Sequence, residues 1–290
     1  MENPIPSLSS ALREKLGHDL VIHSKERVSG GDINQASFFK TNKGVFFLKY
    51  QEGNAFPNMF EAENKGLDSL RESDFTVPKS FGPIQWEGGE GLLLEWIVSG
   101  RKSSDFWVNF GTCLAHLHKI THSEFGWEED NYIGSLPQRN TPEPDWISFF
   151  VNQRLDPLLA KAVDANPGYK HMIGSFEKLY HKLDRWVPEE KPALLHGDLW
   201  SGNYLIDEKG WPCLIDPAVY YGHREVDLAM THLFGGFDSS YIESYHKAYP
   251  LQEGWQERLD LHNLYPLLVH LILFGGGYAR QIEQLLKRYI

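Results

Sequence analysis

Cysteine is scarce in this chain of 290 residues: there are 2, Cys113 and Cys213, far apart and in no C-x-x-C pair. That excludes a disulfide framework and a zinc ribbon, and points to a reducing compartment. Positive charge is also short, 28 Lys+Arg against 39 Asp+Glu, for a formal net charge of −11. A general nucleic-acid binder needs a basic surface to neutralise phosphates, so that class is excluded. Long apolar runs are missing. The most apolar stretch, Leu264–Phe274, contains Pro266 and His270 and falls well short of the roughly 20 residues that cross a bilayer. The first ten residues carry two prolines and no basic-then-apolar signal pattern. The expectation is a cytoplasmic protein with no membrane and no nucleic-acid partner, monomeric by default.

Several catalytic signatures are absent too. No G-x-S-x-G elbow and no H-E-x-x-H occur among the 13 scattered histidines. His116 and His118 are two apart in a helical stretch and face different ways, so they do not form a joint metal site. Gly275-Gly276-Gly277 follows an apolar helix, and Arg280 stands where a dinucleotide fingerprint has its third glycine.

What is present is a globular load, 41% hydrophobic and 13% aromatic residues, enough to exclude disorder. At roughly 150 residues per domain the length suggests about two units. The first hundred residues read as strands with one helix: Val21–Val28, Ala36–Lys40, a tight turn at Thr41-Asn42-Lys43-Gly44 with Asn and Gly supplying positive φ, then Val45–Tyr50. A helix follows over Asn58–Leu70, then strands at Ile84–Trp86 and Leu92–Leu94. After Ser99 the pattern turns helical. Ser103-Ser104-Asp105 offers an N-cap to a stripe of Phe106, Phe110, Leu114 and Leu117, and Trp146–Ala162, Phe176–Trp186 and most of Leu261–Ile290 read as helix. The expected fold class is therefore α+β: a small β-rich lobe over residues 1–97 and a larger, mostly helical lobe over 98–290.

The strongest chemical signal is His196-Gly197-Asp198-Leu199-Trp200-Ser201-Gly202-Asn203, followed by Leu214-Ile215-Asp216. Short apolar strands flank both carboxylates, and the turn Asp207-Glu208-Lys209-Gly210 makes a hairpin that returns Asp216 to the loop of Asp198 and Asn203. Three oxygen-bearing side chains gathered there suit magnesium, with one carboxylate free to accept a proton from an attacking hydroxyl. The spacing matches the catalytic and metal-binding loops of phosphoryl-transfer enzymes.

The small lobe supplies complementary parts. Ser29-Gly30-Gly31-Asp32-Ile33-Asn34, between two strands, places Gly30 and Gly31 where backbone amides cover phosphates, although a glycine pair between strands is by itself an ordinary turn. Lys49 lies in an apolar strand, either turned to water at an edge or paired. The helix decides between these. At about 100° per residue from Phe60, Glu63 falls near 300°, between Leu70 near 280° and Leu67 near 340°, whereas Glu61 falls near 100°. An inward carboxylate is costly without a cation, so Glu63 is the expected partner of Lys49. Leu92–Ile97 closes the lobe as a hinge, where the backbone of Glu95, Trp96 and Ile97 is placed to bond an adenine.

With these residues assembled, the sequence resembles the fructosamine kinase (ketosamine-3-kinase) family, in the aminoglycoside phosphotransferase-like branch of the protein-kinase-like fold. The resemblance rests on Leu195–Asn203, Ile215–Gly222, Arg224-Glu225, Asp227–Met230, Phe125-Gly126-Trp127, Asn131–Gly134, Pro137-Gln138, Asn140, Trp146 with Phe149-Phe150, Gly30–Asn34 and Phe60–Glu63, and spans about Val21 to the C-terminus. It implies ATP- and Mg2+-dependent phosphorylation of the third-carbon hydroxyl of a ketosamine, free or on a glycated protein, to a 3-phosphate that decomposes and frees the amine. Under it Asp198 is the base, Asn203 and Asp216 hold magnesium, Lys49 binds the phosphates and Glu63 orients Lys49. Trp200 walls the sugar site, and Asp227 and Arg224 brace the catalytic loop. The other readings are a kinase for another small alcohol (an aminoglycoside, choline or homoserine) and a catalytically inactive kinase-like binding module. Gly197 replaces the Arg that precedes the catalytic Asp in protein kinases and no A-P-E follows Asp216, which argues against control by activation-loop phosphorylation. Some relatives carry a redox-active cysteine in the glycine-rich strand pair, and this chain has none there.

Overall fold

A computed structural model describes residues 7–28, 34–53 and 55–290. After helix α1 (Leu8–Leu16), the strands β1 (Ile22–Val28), β2 (Gln35–Thr41) and β3 (Gly44–Glu52) run antiparallel. Helix α2 (Met59–Leu70) then precedes β4 (Ser80–Trp86) and β5 (Gly89–Glu95), giving one sheet ordered β1-β2-β3-β5-β4. Alternation along β3 sorts its side chains between two helices. Phe46, Leu48 and Tyr50 join Ala11 and Leu12 of α1 on one face, while Phe47 lies with Phe60, Leu67, Leu92 and Leu94 under α2 on the other. Lys49 shares the parity of Phe47, so the pleat alone carries it to the α2 side.

The hairpin between β2 and β3 turns at Gly44, which has φ +118°. Asn42, expected to share that role, has no positive φ. Its side chain instead accepts from the Val21 N–H at 2.9 Å and donates to the Asp19 carbonyl at 3.1 Å, so this Asn staples the turn to the chain entering β1.

The rest of the chain is mostly helical: α3 (Phe106–Leu117), β6 (Asn131–Ile133), β7 (Leu136–Gln138), α4 (Trp146–Phe149) continued by a π-helical turn (Phe150–Leu155), α5 (Asp156–Ala165), α6 (Ile173–Tyr180) and α7 (Leu183–Trp186). Then come β8 (Ala193–Leu195), β9 (Tyr204–Ile206), β10 (Pro212–Leu214), β11 (Tyr220–Gly222), α8 (Glu225–Leu233), α9 (Ser240–Ala248), α10 (Trp255–His262), α11 (Leu264–Phe274) and α12 (Tyr278–Tyr289). Phe106, Phe110, Leu114 and Leu117 are buried as their spacing requires. Asp105 occupies the N-cap position of α3, but its side chain makes no capping bond. Among the described residues no helix is long and apolar enough to cross a membrane.

Two pairings place the chemistry. β9 and β10 form the anticipated hairpin, and β8 pairs antiparallel with β11, bringing the chain on either side of Asp198 and Asp216 together. The hairpin is fastened to the small lobe through Thr76, whose N–H donates to the Pro212 carbonyl at 3.1 Å and whose carbonyl accepts from the Leu214 N–H at 2.9 Å. Between the lobes, α2 rests on the segment after Asp216: a Cβ on Gly66 would lie 3.2 Å from Pro217 Cγ.

Candidate active site

Lys49 stands between two carboxylates, with its Nζ 2.8 Å from Glu63 Oε2 and 3.1 Å from Asp216 Oδ1. The wheel therefore chose correctly between Glu63 and Glu61: Glu63 is buried and bonded, and Glu61 is partly exposed. Burial works against the Lys49 ammonium, but Asp216 and Glu63 outweigh it and hold its pKa above the ordinary lysine value. Burial raises the Glu63 carboxyl, with Lys49 opposing.

Asn203 ties the two loops together. Its Nδ2 donates to the Asp198 carbonyl and to Asp198 Oδ2, both at 2.9 Å, and reaches the Asp216 carbonyl at 3.5 Å. Asp216 adopts φ +53°, a left-handed conformation that Asp tolerates better than most residues. Burial, with the charges of Asp216 and Asp227 adding, pushes the Asp198 carboxyl up to about 7 against the opposing Asn203 hydrogen bond.

The backbone of the catalytic loop hangs on Asp227 in α8, as anticipated. Its Oδ2 accepts from the His196 N–H at 2.7 Å and its Oδ1 from the Gly197 N–H at 3.0 Å; His118 Nε2 lies 3.2 Å from Oδ2. His196 accepts from the Asp198 N–H on Nδ1 and donates from Nε2 to the Ile215 carbonyl at 2.9 Å, so one imidazole couples the two loops. Burial keeps its pKa below the usual histidine value. Gly197 has φ +81°, and a Cβ there would fall 2.0 Å from the Ala218 carbonyl oxygen. The Gly at this position is thus required by the backbone. Arg224 does not brace this loop. It forms a two-pronged pair with Glu190 at 2.6 and 2.7 Å and caps the Tyr249 and Pro250 carbonyls.

Trp200 is 40% exposed, which excludes a core role. Its indole folds over Gly202, where a Cβ would meet the ring at 2.3 Å. Gly30 and Gly31 lie outside the described residues. In the hinge, the Glu95 N–H is committed to the Lys79 carbonyl at 2.8 Å and its carboxylate accepts from the Lys79 N–H. Trp96 and Ile97 make no backbone–backbone hydrogen bond among the described residues. The Glu95 N–H is therefore unavailable to a ligand, whereas Trp96 and Ile97 have backbone groups to offer.

A profile of the fructosamine kinase family matches residues 4–290. The chain belongs to the fructosamine kinase family. It is accordingly an ATP-dependent phosphotransferase acting on ketosamines. It is 39% identical over 264 residues to a probable ketoamine kinase of Enterococcus faecium, covering 90% of this chain and 94% of that protein. It is 38% identical over 272 residues to a chloroplastic protein-ribulosamine 3-kinase of Arabidopsis thaliana, covering 91% and 81%. A crystal structure from Thermobifida fusca, assigned as a fructosamine-3-kinase, superposes with TM-score 0.87 at 33% identity over 97% of both chains. A thermostable mutant of an aminoglycoside phosphotransferase superposes with TM-score 0.59 at 14% identity, covering 97% of this chain and 99% of that one, and shares the kinase-like fold.

Within the family segments, Asn131, Gln138 and Asn140 form with Arg154 a buried network that the sequence did not reveal. Asn131 donates to the Val219 carbonyl at 2.8 Å, Gln138 to Asn131 Oδ1 at 2.7 Å, and Arg154 to Asn140 Oδ1 at 2.7 Å. It clamps the chain just past Asp216. The surroundings of the Asp198 side chain were also not legible. A small cavity of about 20 Å³, lined by Asp198, Gly197, Ile133, Met230, Tyr265 and His270, adjoins it. Of its lining the sequence singles out Asp198; His270 sits inside the apolar run Leu264–Phe274, where nothing marks it as a site residue.

Proposed function

We propose that the chain transfers the γ-phosphoryl group of ATP to the third-carbon hydroxyl of a ketosamine and so initiates deglycation of the amine. The observation that carries this reading is that Lys49 bridges Glu63 and Asp216 while Asn203 joins Asp216 to Asp198. The cation for phosphates, the oxygen donors for a metal and the carboxylate for proton transfer thus share one cleft.

In this reading Asp198 accepts the hydroxyl proton, and its raised pKa suits a base working near neutrality. Lys49 holds the phosphates, aimed by Glu63, and Trp96 and Ile97 offer backbone groups to the adenine. Magnesium fits the donor set. Asn203 keeps Oδ1 free of described hydrogen bonds, the Asp216 side chain is 42% exposed, and hard divalent cations select such oxygens. When bound with ATP, magnesium neutralises charge on the phosphoryl group in flight. Trp200 walls the sugar site. The lobe boundary is placed at 97/98, just past β5, and Cys113 and Cys213, both free and buried, suit a reducing cytoplasm.

The test is ADP release with Mg-ATP against ribulosyl-lysine, fructosyl-lysine, an aminoglycoside, choline and homoserine, with Asp198→Asn as control. Turnover on a ketosamine that vanishes in the variant supports the reading. Turnover confined to another alcohol would overturn the substrate while leaving the mechanism, and ATP binding with no turnover across the panel would overturn both.

A further inference from the structure

Three aromatic side chains, Trp200, Phe234 and Phe274, stand among the exposed large hydrophobics, at 40%, 40% and 54% exposure. Two of them pack at a tilt against the same imidazole: the His270 ring centroid lies 4.7 Å from that of Phe234 and 5.4 Å from that of Phe274, with Tyr278 at 5.3 Å. The third is joined to them through the chain. Gly236, two residues past Phe234, abuts Ser201, the neighbour of Trp200; a Cβ on it would lie 2.5 Å from Ser201 Cβ. His270 itself lines the pocket that Asp198 opens into. The exposed aromatic rings of the larger lobe thus gather beside the acceptor side of the proposed base.

The imidazole is set up as an acceptor. His270 Nδ1 lies 2.7 Å from the Pro266 carbonyl, which can only accept, so Nδ1 carries the proton and Nε2 bears the lone pair. Burial holds its pKa below the usual histidine value, so the ring is neutral near pH 7. No Lys or Arg lines the pocket. A neutral acceptor flanked by partly exposed aromatic rings is a surrounding that favours an organic ammonium with an alkyl stem.

We propose that His270, Phe234 and Phe274 form the subsite for the amine half of the acceptor, a secondary ammonium with an alkyl stem such as that of lysine. The ammonium donates to His270 Nε2, and the stem lies along Phe234 and Phe274 toward solvent. This rests on the ketosamine reading above, in which the sugar hydroxyl is at Asp198.

The experiment compares wild type, Phe234→Ala, Phe274→Ala, His270→Leu and His270→Gln on three ribulose derivatives: that of the ε-amine of acetyl-lysine, that of methylamine, and the 1-O-butyl ether, which has a stem and no cation. The alanine variants should raise KM for the lysine derivative about three- to tenfold, change it by less than about twofold for methylamine, and keep kcat. His270→Leu should abolish the preference for the amines over the ether, and His270→Gln, which retains an acceptor, should recover part of it. Equal KM changes on all three derivatives, or an amine preference that survives in His270→Leu, would overturn the subsite. No turnover by wild type on either amine derivative would instead refute the ketosamine reading beneath it. Melting midpoints of the variants separate these outcomes from misfolding.

Discussion

Replacing Asp227 by Asn changes one atom of the side chain and probes what holds the catalytic loop. The carboxylate receives two backbone N–H groups, from His196 at 2.7 Å and Gly197 at 3.0 Å, one on each oxygen, with His118 Nε2 3.2 Å from Oδ2. An amide supplies one acceptor, and its NH2 group must then face a donor it cannot satisfy. A charge-assisted hydrogen bond contributes about 1.5–3 kcal/mol, and the site is fully buried, so losing one and weakening the other should cost about 3 kcal/mol. With an unfolding entropy of about 2.1 cal/mol/K per residue, that is a fall in melting temperature of about 5 °C. The assay is paired: thermal unfolding followed by circular dichroism, and kcat on the best ketosamine. The backbone of Gly197 and Asp198 loses its anchor, so kcat should fall by about tenfold or more with KM for ATP little changed. An Asp227→Asn protein that melts within a degree of wild type and turns over normally would show that Asp227 is not what suspends the loop.

Other perturbations follow from the same site. Because the Asp198 carboxyl is pushed up to about 7 and must be ionised to act as base, kcat/KM should fall about tenfold per unit below that pH, and a flat profile down to pH 5 would refute the assignment. The sign for stability is the reverse: a folded pKa above the unfolded value of about 3.9 stabilises the fold at low pH and loses that contribution as pH rises through about 7. Asp198→Asn should therefore melt higher than wild type at pH 8 while abolishing turnover, measured on the same preparation. Glu63→Gln should leave Lys49 to Asp216 alone, raising KM for ATP and lowering kcat by about tenfold or more, with wild-type ATP kinetics as the refuting result. Gly197→Ala forces a Cβ toward the Ala218 carbonyl at positive φ and should cost at least about 1–2 kcal/mol of stability, read by urea unfolding. Burial pushes both thiols up to about 12, so neither Cys113 nor Cys213 should react with a thiol reagent at pH 8 until the protein is denatured.

Much of this was legible because the chemistry is local. Asp198, Asn203 and Asp216 sit on one hairpin, so a turn signal and three short apolar strands sufficed to bring them together. The choice of Glu63 over Glu61 needed only the helical period, since the apolar face of α2 has one place for a carboxylate. What escaped depended on partners distant in sequence. Arg224 reads like a neighbour of the catalytic loop, but its cation is claimed by Glu190, which periodicity cannot pair with it. Glu95 sits in the hinge by sequence, yet strand register commits its N–H to Lys79. His270 lies 72 residues beyond Asp198 in sequence, and only the packing of α11 against the loop of Gly197 and Asp198 makes them share a cavity.

From Asp216 the chain passes through Pro217, Ala218 and Val219, all buried, directly into β11. Protein kinases insert at this point the loop on which a phosphate turns activity on. Here there is no slack in the chain to carry such a mark, and Lys49 contacts both Glu63 and Asp216. Phosphorylation of a long loop at this point is therefore not a switch this fold can carry.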